Sequence, residues 1–375
     1  MRALIVLVIA GVVAAPAARA QQVLEIDTAA GRVILDDEWR AIRTIEDMPL
    51  DRTRALLYAN DDEEPEGVMV FSLETGEWIR TIPTLTGGGP RELERGMSGM
   101  TLGRDGRLYV SGYVRVLEFD PLGQYVRNWR PGADVVWDVC EFDGQPAIVA
   151  RGGGVIRRGP EGTDEALGRD IVDRRAASIR DTPVGRGRVI SGSRPRIACT
   201  DDAAYVVTTN AETSDSVFVY HRSGETTRLP VPTEFTDRGD GCKVKVDMGH
   251  TELLEMSCSN WARELEPTLD AQGNLVLLGR DQEVPGAIID PDTGCYAVVR
   301  KPAPSRTYDA HHVYRDSVLV FRYSVYEAEL PPGFEMPAGA TATAVSISTA
   351  ADRMSLHPLR RISGEPCPGM LESLN

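Results

Sequence analysis

The chain has 375 residues, 56 of them acidic and 41 basic, for a net charge of −15. A surface this acidic repels nucleic acid and anionic membranes, and no basic stripe offsets it, so a nucleic-acid partner is excluded. The length alone would suit two ordinary domains, but regular repetition along it points to a single domain that grows by adding copies.

Arg2 gives a positive start, Ala3 to Val13 is apolar or Gly throughout, and Ala18-Arg19-Ala20 is a small-x-small cleavage site before Gln21. The apolar run is about half the roughly 20 residues that a spanning helix needs. Residues 1–20 therefore read as a signal peptide cleaved after Ala20, and 21–375 as one secreted or periplasmic domain. The residue directly after the cleavage site is Gln21 and not Cys, which argues against a lipid anchor, and no later stretch is long and apolar enough to cross a bilayer.

From residue 50 onward one phrase recurs: a turn, a short apolar strand, a second strand, another turn. Its clearest copy runs from Arg104-Asp105-Gly106 through Leu108-Tyr109-Val110 and Val116-Leu117-Glu118-Phe119 to Asp120-Pro121-Leu122-Gly123. Five looser copies place the first apolar strand at 55–59, 147–150, 204–207, 274–277 and 317–320, and second strands at 68–71, 217–220 and 287–289. Several first strands follow Gly- or Asp-rich turns such as Asp143-Gly144 and Asp201-Asp202, the residues that tight turns require. The spacing of roughly 40 to 70 residues predicts an all-β, six-bladed β-propeller of four-stranded antiparallel blades.

The stretch from Gly87-Gly88-Gly89-Pro90-Arg91-Glu92-Leu93 through Gly99-Met100-Thr101-Leu102 to Gly123 resembles the NHL-type repeat of six-bladed propellers. That repeat has a Gly-Pro-rich lead-in, an Asp-Gly turn, a Leu-Tyr-Val strand and a Phe-Asp-x-x-Gly exit. The sequence departs from it after Tyr109-Val110, where Ser111 and Gly112 stand in place of Asp and Asn. The resemblance implies fold over most of residues 50 to 360 and carries little function.

Two insertions break the rhythm. Residues 159–195 are charge-rich, with Glu161 to Arg180 expected to be helical, and residues 231–266 hold a predicted hairpin of 242–246 against 253–258. A third irregular piece, 331–339, precedes a strand resuming at Ala344-Val345. All six cysteines follow the signal peptide, where disulfides are expected. Cys242 and Cys258 flank the hairpin; Cys140 and Cys199 occupy matching places in adjacent blades; Cys295 then pairs with Cys367, tying the C-terminal tail to the fifth blade.

Aligning the inner-strand starts places Ser98, Asp138, Arg196, Glu266 and His311 around the axial channel, with Asp309 and His312 beside the last and Trp137 beside Asp138, placed to stack on a ligand. Carboxylates and an imidazole there are the donors that hold calcium or zinc, so a divalent cation such as calcium is the one cofactor the set would take. Adjacent residues of a strand point to opposite faces, so only one of His311 and His312 can line the channel. A water-filled polar channel is the plainer reading. No Gly-x-Ser-x-Gly or phosphate loop is present. The sequence thus favours a monomeric scaffold that binds an unknown protein or small molecule; the other reading is a metal-assisted, lactonase-like hydrolase or lyase at the channel mouth.

Overall fold

The computed structural model describes residues 21–36, 48–61, 67–94, 96–151, 153–168, 195–207, 216–231, 243–247, 253–257, 265–279, 286–300, 308–327 and 345–371. The expected signal peptide lies outside these residues, as do Cys242 and Cys258.

Strands β1 (Gln21–Ile26) and β2 (Arg32–Asp36) flank a 3-10 turn at Thr28–Ala30, which Asp27 caps by accepting from the Ala29 and Ala30 amides. Antiparallel units then follow in chain order. The first is β3 (Leu50–Asp51), β4 (Leu56–Asp61), β5 (Gly67–Ser72) and β6 (Trp78–Pro83). A short parallel pair, β7 (Leu85–Thr86) with β8 (Glu92–Leu93), leads into the second: β9 (Met97–Leu102), β10 (Leu108–Gly112), β11 (Arg115–Phe119) and β12 (Tyr125–Trp129). The third is β13 (Val136–Phe142), β14 (Gln145–Ala150), β15 (Val155–Arg158) and β16 (Asp164–Ala166). The fourth is β17 (Arg196–Cys199), β18 (Ala203–Val207), β19 (Ser216–His221) and β20 (Thr226–Pro230). The hairpin β21 (Lys243–Asp247) and β22 (Leu253–Ser257) forms as expected, Val244 opposite Met256.

The fifth unit is β23 (Leu265–Leu269), β24 (Leu275–Gly279), β25 (Gly286–Ile289) and β26 (Tyr296–Arg300). Among the described residues the sixth has three strands of its own, β27 (Tyr308–Tyr314), β28 (Ser317–Glu327) and β29 (Val345–Gly364). Its fourth comes from the start of the chain: β2 pairs antiparallel with β29, Arg32 opposite Leu356. Strand β1 runs parallel to β26, Gln21 opposite Tyr296, and antiparallel to the end of β29, Ile26 opposite Leu359. The first residues thus stitch the fifth and sixth units into one sheet.

Side-chain alternation explains how the units pack. In a strand, odd and even residues face opposite sides. Strand β10 gives Leu108 and Val110 to a cluster shared with the first unit and Tyr109 to one shared with the third. Strand β14 gives Ile148 back to the second unit and Ala147 and Val149 forward to the fourth. Strands β18, β24 and β28 divide their residues the same way, and Leu319 of β28 packs on Leu57 and Phe71 of the first unit. Second strands are therefore buried on both faces, which is why they read as unbroken apolar runs.

Two expected disulfides are present. Cys140–Cys199 joins inner strands β13 and β17, and Cys295–Cys367 ties the C-terminal tail, which buries Cys367, Met370 and Leu371, to the fifth unit. One expectation is corrected. Within the stretch expected to be helical, Asp164–Ala166 is the outer strand of the third unit, Asp164 opposite Arg158. The cause is the preceding turn, where Gly162 takes φ +79° and donates to the Gly159 carbonyl at 2.9 Å, reversing the chain. Trp129 packs between the second and third units, but Trp78 stands 48 % exposed on outer strand β6.

Candidate functional site

Inner strands β9, β13, β17, β23 and β27 touch in that order around a common axis. They enclose a cavity of about 880 Å³ that the first unit also lines through residues 48–54. Its wall is made of inner-strand residues, among them Asp138, Arg196, Thr268 and His312, and its mouth of the turns that leave those strands.

Ladder register fixes which inner-strand positions are equivalent. Asp138 lies opposite Val149, Arg196 opposite Val207 and Glu266 opposite Leu278, each of these partners facing the following unit. Bulges shift the rest. In β9 the extra residue is Ser98, so Gly99 faces Ser111; in β27 it is His311, so His312 faces Leu319; in β13 it is Trp137. A bulge re-aims the side chains beside it. His312 is buried and lines the cavity, while Trp137 packs edge-on against Tyr113 at 5.8 Å between ring centres. Ser98 turns its carbonyl to Arg196 Nη1, at 3.3 Å, and its Oγ to Ser111 Oγ, at 3.0 Å. The structure thus brings Asp138 and Arg196 together with His312; the side chains of Glu266, Asp309 and His311 lie outside the described residues.

Asp138 is a buried strut. Its Oδ1 accepts from the Val139 amide at 2.7 Å and its Oδ2 from the Ile197 amide at 2.9 Å, pinning β13 to β17 beside the Cys140–Cys199 disulfide. The missing side chain of Gly99 makes room for it, since a Cβ there would stand 2.4 Å from Asp138 Oδ1.

Two arginines that sequence reading missed hold the mouth. Arg52, in the turn after β3, donates through Nη2 to the Leu269 carbonyl of the fifth unit and to the Val313 carbonyl of the sixth at 3.1 Å. Burial pushes its pKa below the ordinary guanidinium value, against the pull of the Asp270 carboxylate. Arg104, in the turn after β9, pairs with Glu141 of the third unit and Asp201 of the fourth. Glu141 also accepts from the Arg104 amide at 3.1 Å and from the Tyr109 hydroxyl at 3.4 Å. Burial, then the Glu141 charge, raises the Tyr109 pKa, which keeps that hydroxyl a donor. Charged residues in successive inner turns (Asp51-Arg52, Arg104-Asp105, Asp201-Asp202, Asp270) were the available signal. Among the described residues no three His, Cys, Asp or Glu side chains group closely enough to hold a metal ion.

No family model and no curated protein matches the chain. Solved structures do. A protein of unknown function from Bacteroides thetaiotaomicron is similar at 11% identity over 91% of this chain and 76% of its own, with a TM-score of 0.50. The RRP9 WD40 repeats align at 12% identity over 91% and 100%, TM-score 0.45. The calcium-binding protein regucalcin from Agrobacterium tumefaciens aligns at 14% identity over 80% and 87%, TM-score 0.44. Likeness at these identities concerns fold alone. With the antiparallel units packed in succession about one axis, the chain is a β-propeller.

Proposed function

We propose that the chain is an exported, monomeric, six-bladed propeller, NHL-like in its repeat, that serves as a binding scaffold with its ligand seated in the axial cavity. The observation that carries this reading is the cavity itself: about 880 Å³, within the ordinary range for small-molecule sites, with fixed polar groups on its wall. Six buried clusters link each unit to the next and the last to the first, which supports the blade count. Export is supported by two disulfides, which persist in oxidising compartments. A cut after Ala20 also leaves every pair of β1 intact.

The second reading, a metal-assisted hydrolase or lyase, draws on Asp138 and His312 both lining the cavity. It needs Asp138 to release the two amides it now accepts from. Thermal unfolding of the exported, oxidised protein with EDTA, calcium, zinc or a small-molecule panel separates the two. Stabilisation by organic ligands, with calcium, zinc and EDTA inert, is expected. An ion-dependent rise abolished by Asp138→Ala, together with lactone turnover, would replace binding with catalysis.

A further inference from the structure

The carboxylates of the cavity wall are engaged inside the protein. Asp51 accepts from the Arg54 amide at 2.9 Å and its guanidinium at 3.1 Å; Asp105 pairs with Arg107 at 2.8 Å; Glu141 and Asp201 share Arg104. Asp270 accepts from the Gln272 and Asn274 amides, each at 2.9 Å, and from Asn274 Nδ2 at 2.8 Å. Asp138 is held by its two amides.

Arg52 is satisfied differently. Its bonded acceptors, the Leu269 and Val313 carbonyls, are neutral and both use Nη2. Among the described residues its Nε, shut off from solvent, has no partner. On the same wall, one residue before Leu269, Thr268 Oγ1 is likewise buried without a partner. A guanidinium edge and a hydroxyl left over in the lining of one cavity are donors of the kind a compact oxyanion takes, and buried donors without acceptors are costly.

We infer that the axial cavity is an oxyanion site, binding a small carboxylate or phosphate group against Arg52 and Thr268. This rests on the cavity being the ligand site, as proposed above. The ligand oxygens supply the acceptors that Nε and Oγ1 lack, and their charge adds to that of the Asp270 carboxylate at Arg52. A fork of this kind distinguishes an anion from its uncharged isostere.

The test is calorimetric titration of the exported, oxidised protein with acetate, succinate and inorganic phosphate, using acetamide and succinamide as neutral isosteres. Binding of the anions and not the amides is expected. Phosphate and the carboxylates, run separately, tell which oxyanion is preferred. Thr268→Glu places a carboxylate in the lining that Arg52 shares and should weaken anion binding at least tenfold. Arg52→Lys keeps the charge and loses the fork, and Thr268→Val keeps the Arg52 contacts should the lysine variant fail to fold; either should weaken binding about tenfold. Anion binding unchanged in Thr268→Glu and Thr268→Val would overturn the inference. Binding of only neutral or cationic ligands in the cavity would overturn it too, while leaving the scaffold reading standing.

Discussion

Arg52 and Arg104 occupy the same place in consecutive repeats, the turn that leaves the inner strand, yet they strap opposite halves of the ring. Arg52 ties the first unit to the fifth and sixth through main-chain carbonyls, with its guanidinium half-buried. Arg104 ties the second to the third and fourth through carboxylates, with its side chain 67% exposed. The exposed strap lies where a disulfide already joins β13 to β17. The buried one lies in the half that closes without such a bond at the axis, by pairing the first strands with the last. Surface ion pairs contribute little because water screens them, whereas a half-buried cation bridging carbonyls leaves unpaired acceptors when removed. The ring is therefore held by a disulfide between inner strands on one side, and on the other by strand exchange, a half-buried cation and the Cys295–Cys367 bond away from the axis.

Removing residues 21–36 should have the largest effect, because it takes away β1 and β2 together. Circular dichroism should then show no cooperative melt, and a normal melt would mean that another strand closes the ring. Next comes the half with the disulfide between inner strands. Cys140→Ser with Cys199→Ser opens a loop with a sequence separation of 59 and should cost about 4 kcal/mol. A urea midpoint that falls, with a slope that rises because the unfolded chain is freed to expand, is the signature. Arg52→Gln should cost about 2 kcal/mol, since two carbonyls lose a charged donor. Arg104→Gln should cost only about 0.5 kcal/mol, and less at high salt. Equal costs for the two would erase the contrast between the halves.

Acid probes the strand-exchange half separately. His357 on β29 is buried, with Nε2 2.7 Å from Ser355 Oγ and Nδ1 3.3 Å from the Asp27 carbonyl beside β1. Burial pushes its pKa below the ordinary 6.5, so the folded protein keeps it neutral after the unfolded chain has begun to take a proton. Its contribution is complete above about pH 6.5 and is lost as pH falls through that value toward the folded pKa. The melting temperature should drop between pH 7 and pH 5, and His357→Gln should shrink that drop. A drop of the same size in the variant would place the acid sensitivity elsewhere.

The second strands were legible because burial on both faces turns them into apolar runs such as Leu108-Tyr109-Val110. The Cys140–Cys199 pair followed from matching places in the repeat, and Cys295–Cys367 was the pair left once Cys242 was assigned to Cys258. Strands β1 and β2 at the start of the chain were not legible: Val23-Leu24-Glu25-Ile26 reads as a strand only once its partners, more than 270 residues away, are known. Nor were the bulges. A single extra residue in β27 exchanges His311 for His312 in the register, and no local pattern announces it. Arg52 was hidden for a related reason, because a charged turn residue looks like surface until the fold brings it beneath two other units.

The most direct test of the account is a crystal structure of the exported protein soaked with succinate. The account predicts ligand density in the axial cavity, with an oxygen within hydrogen-bond distance of Arg52. A well-ordered ligand at the outer strands, with the cavity holding water alone, would contradict it.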